Sequence, residues 1–94
     1  MLYLLGVSHR SAPVEVRERL HFRPEEIRES LAELRRSEGI HEAMLLSTCN
    51  RTEIVVSGGT RQQAATAVAG LLAHRREEVA ASLDRNAYRL EDHE

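Results

Sequence analysis

The chain has 94 residues, 41% of them hydrophobic and 30% charged, with a formal net charge of −2. That describes one small domain with a single core, burying roughly 60–65% of the surface its unfolded form exposes. One cysteine, Cys49, excludes an internal disulfide; the five histidines are scattered without metal-ligand spacing, and no apolar run approaches the roughly 20 residues of a membrane span.

Thirteen basic against fifteen acidic residues leave no global field to draw the chain to nucleic acid or anionic membrane. Any RNA contact must use a local patch or segments outside these residues. All thirteen basic residues are arginine, which reads as a compositional bias rather than a functional demand. Residues 1–7 lack a basic stretch and a small-residue cleavage site, so they do not form a signal peptide, and a cytoplasmic protein is expected.

In chain order, residues 2–8 form a short apolar run suited to a buried strand. Pro13 suits the first position of a short helix through Leu20, with Val16 and Leu20 on one face. A second helix begins at Pro24. Glu25 and Glu26 meet the positive end of its dipole, and Phe22 and Ile27 have the spacing of a hydrophobic staple. Ile27, Leu31 and Leu34 form its buried stripe, and Gly39 can end it. Residues 43–48 and 52–57 read as a hairpin joined by Cys49-Asn50-Arg51, with Asn50 tolerating the left-handed geometry of a tight connection. After Gly58-Gly59, Thr60 and Gln63 match a capping box that opens a helix carrying Val68, Leu71 and Leu72. A further short helix is expected over 77–83 and a last strand over 87–90. The order β-α-β-β-α-β predicts an α+β fold of the ferredoxin-like split type, an antiparallel sheet with helices on one face.

The chemistry concentrates in Ser47-Thr48-Cys49-Asn50-Arg51-Thr52-Glu53, a polar string between two hydrophobic strands. Cys49 stands at a strand end rather than inside its apolar part, with a cation two residues on. A thiol acts as a nucleophile in its thiolate form, which a nearby cation favours. Arg51 is the sequence-local cation, and its planar fork also suits a substrate carboxylate. On residue physics alone, a lone cysteine is more often structural than catalytic. Arg51 and Glu53 can equally form a simple ion pair, and no histidine neighbours Cys49 in sequence.

Two blocks carry a resemblance. Gly6-Val7-Ser8-His9-Arg10-Ser11-Ala12-Pro13-Val14-Glu15-Val16-Arg17-Glu18-Arg19-Leu20, followed by Leu45-Leu46-Ser47-Thr48-Cys49-Asn50-Arg51-Thr52-Glu53, resembles the N-terminal catalytic domain of glutamyl-tRNA reductase in order and spacing. The rest of residues 1–94 resembles that domain in pattern only. The resemblance implies that Cys49 attacks the ester of glutamyl-tRNA to give a thioester. It implies that NADPH then reduces the thioester to glutamate-1-semialdehyde, the first step of the five-carbon route to tetrapyrroles. Thr48, Asn50 and Arg51 match substrate-contacting positions, with Arg51 expected to grip the glutamate carboxylate. The chain is expected to be a fragment. In the family a helical portion, a nucleotide-binding domain and a dimer-forming helical region follow, so the NADPH site lies outside these residues, as does the family's important histidine. His93 does not match that histidine. A homodimer is implied for the full-length protein and a monomer for the fragment. Glutamate-1-semialdehyde aminotransferase is an implied partner with no residue here to carry the contact. No metal is expected.

Within the first block, Ser8, His9 and Arg10 have no assigned role. His9 ends the first strand, where it either orients the Cys49 loop or merely caps the strand. His21, His41, His74 and His93 read as surface residues, and Glu15, Arg17, Glu18 and Arg19 as a solvated helix face. The competing reading is a non-catalytic ferredoxin-like module that docks a protein or RNA, with Cys49 incidental. Tyr3, Phe22 and Tyr88 alone offer little for stacking single-stranded RNA.

Overall fold

Alternation along the strands decides which side of the sheet the helices cover. A computed structural model describes residues 1–92. It contains β1 (Leu2–Ser8), α1 (Val14–Leu20), α2 (Pro24–Arg36), β2 (Glu42–Ser47), β3 (Arg51–Ser57), α3 (Arg61–Arg75), α4 (Glu77–Ala80), α5 (Leu83–Asn86) and β4 (Tyr88–Asp92). The sheet order is β2-β3-β1-β4 and every pairing is antiparallel. This is the expected ferredoxin-like α+β arrangement, with α1 and α2 in the first crossover and α3 to α5 in the second.

Tyr3, Leu5 and Val7 of β1, Leu45 of β2, and Ile54 and Val56 of β3 are buried. They pack with Leu20, Phe22, Leu34, Val68, Leu71 and Leu72 from the helices in one core. Period-2 geometry sends the intervening residues to the opposite face. There Met44, Val55, Leu4 and Leu90 lie in register across all four strands. Met44 and Leu90 are 60% and 64% exposed, so no described element covers this row. No helix among the described residues is long and apolar enough to cross a membrane.

Most local signals act as expected. The Thr60 hydroxyl accepts from the Gln63 amide at 3.1 Å, and the Gln63 side chain accepts from the Thr60 amide at 3.0 Å. At α2, Phe22 is buried and Ile27 packs against the same core. The Arg23 amide donates to Glu26 Oε1 at 3.2 Å, half of a capping box, because arginine has no acceptor to return the bond.

Several local expectations differ. Pro13 is the N-cap of α1 rather than its first helical residue. β2 is shifted one residue earlier, to Glu42–Ser47, with Glu42 paired to Ser57, and β3 starts one residue early because Arg51 pairs with Ser8 of β1. No non-glycine residue among those described has a positive φ, so Asn50 does not use the left-handed geometry. The helix expected over 77–83 breaks into two single turns. There the Ser82 amide and hydroxyl both bond the Val79 carbonyl, at 3.0 and 2.9 Å, tightening the chain after one turn. The Ala87 amide then closes α5 on Leu83, so β4 begins at Tyr88.

Arg76 ties the end of α3 to the α1–α2 junction. Its Nη2 donates to the His21 carbonyl at 2.9 Å and to both Glu26 oxygens at 2.9 and 3.0 Å, and its guanidinium lies 4.2 Å over the Phe22 ring. Burial alone raises the pKa of Glu26, but the Arg23 amide, the hydrogen bond from Arg76 and the two guanidinium charges outweigh it and hold Glu26 below the usual range. A depressed carboxylate contributes its stability above the unfolded-state pKa, about 4.3, and loses it as pH falls through the folded value. Glu26→Gln is therefore expected to cost about 1–2 kcal/mol in urea melts at pH 7, with the difference from wild type shrinking below about pH 4. Gly70, inside α3, has open space where a Cβ would stand. Gly70→Ala should raise stability by about 0.5–1 kcal/mol in the same melts.

Candidate active site

Thr48, Cys49 and Asn50 connect β2 to β3, and the first sequence block holds them in place. The Thr48 amide donates to the Arg51 carbonyl at 2.7 Å, closing the hairpin. The Thr48 hydroxyl accepts from the Asn50 amide at 3.3 Å and donates to the Arg51 carbonyl at 3.4 Å. The Asn50 carbonyl accepts from the His9 amide at 3.0 Å, so His9 braces the loop through its backbone. Behind it, the Ser8 carbonyl accepts from the amides of Ser11 and Ala12, both at 3.0 Å, and the Ser8 amide donates to Ser11 Oγ at 2.9 Å. That turn launches α1 beside the loop. Arg17 spans the gap: Nε donates to the Ala12 carbonyl at 3.3 Å and Nη1 to the Cys49 carbonyl at 3.4 Å. Cys49 itself is a free, exposed thiol.

Between α1 and the loop lies a cavity of about 530 Å³, within the range of small-molecule sites. Thr48, Cys49 and Asn50 form one wall, and Val14, Arg17, Glu18 and His21 the other. Two expectations change here. Arg17 is bonded to two carbonyls rather than merely solvated, while Glu18 is exposed as expected; His21, expected at the surface, is partly buried, and its Nδ1 lies 3.2 Å from Ser47 Oγ. Ser47 Oγ also accepts from the Phe22 amide at 2.9 Å and bonds Thr52 Oγ1 at 2.9 Å. Residues 14, 17, 18 and 21 have the i, i+3, i+4, i+7 spacing of one helix face, which was the available signal. His41 and His74 are exposed as expected, His74 pairing with Glu33, and His93 lies outside the described residues.

Arg51 goes elsewhere. As the first residue of β3 it sits on the open face of the sheet, with its Nε 3.9 Å from Glu53 Oε2 and its side chain 51% exposed. The ion pair anticipated from the sequence is therefore present. Among the described residues, the terminal nitrogens of Arg51 make no hydrogen bond. Glu53 is in turn held by Tyr88 of β4, whose hydroxyl donates to Oε2 at 2.6 Å. Burial, with the hydrogen bond and charge of Glu53, pushes the Tyr88 phenol up to about 12. The ring lies against Gly6, the residue paired with Tyr88 in β1, and a Cβ there would stand 2.7 Å from Tyr88 Cζ. Sequence reasoning named Tyr88 only as a weak stacking platform and not for this site, because its contact with Glu53 spans 35 positions.

The fold and this loop define a ferredoxin-like domain that presents one cysteine, flanked by hydrogen-bonding residues, between an arginine on each side of the sheet. Residues 5–94 match the family described as "Glutamyl-tRNAGlu reductase, N-terminal domain". The chain belongs to that family. It is 47% identical over 88 residues to the glutamyl-tRNA reductase of Rubrobacter xylanophilus, covering 94% of this chain and 20% of that protein. It is 54% identical over 57 residues to that of Marinobacter nauticus, covering 61% and 13%. The solved structure of glutamyl-tRNA reductase from Methanopyrus kandleri matches 97% of this chain and 19% of its own, with a TM-score of 0.55 and 26% identity. The chain thus spans a fifth or less of the length of these relatives.

Ser47 is the joint between the α1–α2 junction and the hairpin. Ser47→Ala leaves the Phe22 amide without this acceptor and the Thr52 hydroxyl without this partner. A loss of about 1–3 kcal/mol is expected in thermal or urea unfolding.

Proposed function

We propose that this chain is the acyl-accepting part of a glutamyl-tRNA reductase, with Cys49 as the nucleophile. The observation that carries the reading is the placement of an exposed free thiol in a loop braced from both sequence blocks, inside a domain of this family. In the proposed step the Cys49 thiolate sulfur attacks the carbonyl carbon of the glutamyl ester. The bond from that carbon to the ribose oxygen breaks, the tRNA leaves as an alcohol that takes up a proton, and a glutamyl thioester remains, with no change of oxidation state. Thr48 and Asn50 fix the loop and border the acceptor, and Arg51 offers its terminal nitrogens to the glutamate side-chain carboxylate as a bidentate partner.

The second half of the reaction is a reduction of that thioester to glutamate-1-semialdehyde, for which NADPH supplies the hydride, on the route to tetrapyrroles. The described residues do not fit the dinucleotide. Gly58 and Gly59 lead from β3 into α3, but the Thr60 and Gln63 amides at that helix start are taken by the capping box, and Gly39 and Gln63 crowd the glycines. No hydride step is assigned to these residues. The substrate is glutamyl-tRNA and the compartment the cytoplasm; homodimer formation is proposed for a protein of the relatives' length.

Intact mass after incubation with glutamyl-tRNA and acid quench tests the acyl transfer, in this chain and in the protein at its natural length. A glutamyl-sized adduct is expected on wild type and absent from Cys49→Ser, and aspartyl-tRNA should give none. Full reductase activity in a natural-length Cys49→Ala variant would refute the assignment.

A further inference from the structure

We propose that Tyr88 is a positioning residue that acts through Glu53 to keep the guanidinium fork of Arg51 open for a substrate carboxylate. The proposal rests on the reading of Arg51 given above and adds the device that makes an arginine beside a glutamate usable. An arginine two residues from a glutamate on one strand face can close into a bidentate pair with it, because the two planar groups match. Here it does not. The nearest approach to Glu53 is by Nε, at 3.9 Å, beyond hydrogen-bond distance, and the terminal nitrogens make no hydrogen bond among the described residues.

Tyr88 accounts for the open pair. Its hydroxyl binds the same carboxylate oxygen that faces Arg51, at 2.6 Å, the short distance of a charge-assisted bond. The carboxylate is thereby held toward β4. The tyrosine has little freedom of its own, since its ring lies against Gly6, where any Cβ would meet Cζ, Cε2 and the hydroxyl at 2.7–2.8 Å. The register of β1 with both neighbours puts Glu53, Gly6 and Tyr88 in a single row. Without the phenol, Glu53 is free to swing onto Arg51 and occupy the fork that the substrate needs. Burial and the negative charge of Glu53 also keep the phenol protonated, so it remains a donor throughout the neutral range.

The test follows the Arg51 Nε–Hε signal by NMR in the arginine-labelled chain. Glutamic acid α-methyl ester is the probe for the side-chain carboxylate, and glutamine α-methyl ester is the uncharged control. In wild type, the Arg51 signal should respond to the glutamate ester and not to the glutamine ester. Tyr88→Phe, which keeps the ring, should weaken that response about tenfold, the size of one hydrogen bond's contribution. Gly6→Ala, which displaces the ring and keeps the hydroxyl, should do the same. Leu90→Ala removes packing from the same strand and face without touching Glu53, and should leave the affinity unchanged. Equal affinity in wild type and Tyr88→Phe would overturn the positioning role and leave the Arg51 reading standing. An Arg51 signal blind to the glutamate ester in wild type would instead sink the Arg51 reading, and this proposal with it. A loss of affinity in Leu90→Ala matching that in Tyr88→Phe would reduce Tyr88 to strand packing.

Discussion

The register of β1 between β3 and β4 is the constraint on which the candidate site depends. Ser8 opposite Arg51 sets the first-block turn against the Cys49 loop, and Gly6 opposite both Glu53 and Tyr88 brings those two side chains together. Because side chains alternate across a strand, a slip of one residue would turn Arg51 and Glu53 toward the helices and Thr52 and Ile54 toward the open face. Burying a guanidinium and a carboxylate in an aliphatic core costs far more than any local gain in the hairpin, so the hydrophobic pattern that fixes the core also fixes the charged row. Fold and site are set by one alignment.

Some of this was legible beforehand and some was not, for physical reasons that differ residue by residue. The first strand, the Pro24 helix and the Thr60–Gln63 cap were readable because their signals are local: a strand run, a proline at a helix start, a side chain reaching three residues along. Within the Cys49 string, the residues that form the loop were readable because they interrupt the hydrophobic alternation on both sides. The role of His21 was missed although its helix-face spacing with Val14, Arg17 and Glu18 stood in the sequence, because nothing local says which face of α1 meets the hairpin. Tyr88 was out of reach for a stronger reason. Its partnership with Glu53 exists only after β4 docks on the far side of β1, a pairing fixed by topology and not by neighbouring residues.

The two arginines nearest the loop illustrate how position divides similar chemistry. Arg17 spends its Nε and Nη1 on the carbonyls of Ala12 and Cys49, two neutral acceptors, and so joins α1 to the loop. Arg51 engages one carboxylate at long range and leaves its terminal nitrogens unused among the described residues. Of the two, only Arg51 retains the parallel pair of donors that recognises a carboxylate by shape as well as charge. The arginine that the sequence placed nearest the cysteine is therefore the better candidate for substrate, even though the cavity beside the thiol is lined by the other.

The open face of the sheet is graded along its strands. The row Met44, Val55, Leu4 and Leu90 is apolar throughout, the next row holds Leu46, Glu53, Gly6 and Tyr88, and Arg51 and Ser8 follow at the loop end. The charges at the Cys49 end, Arg51 and Glu53, are thus separated by this apolar row from Glu42 and Asp92 at the other end of the face. Hydrocarbon neighbours lower the local dielectric, which strengthens the Tyr88–Glu53 bond and would strengthen the proposed attraction of Arg51 for a substrate carboxylate. The same surroundings make an unpaired carboxylate costly, so Glu53 needs both its tyrosine and its arginine. In this network of three residues the demand for partners falls on the Glu53 carboxylate, which Tyr88 and Arg51 meet, while Arg51 itself stays half-exposed to solvent. Gly6, by yielding its side-chain volume to the Tyr88 ring, is what allows the third member to fit.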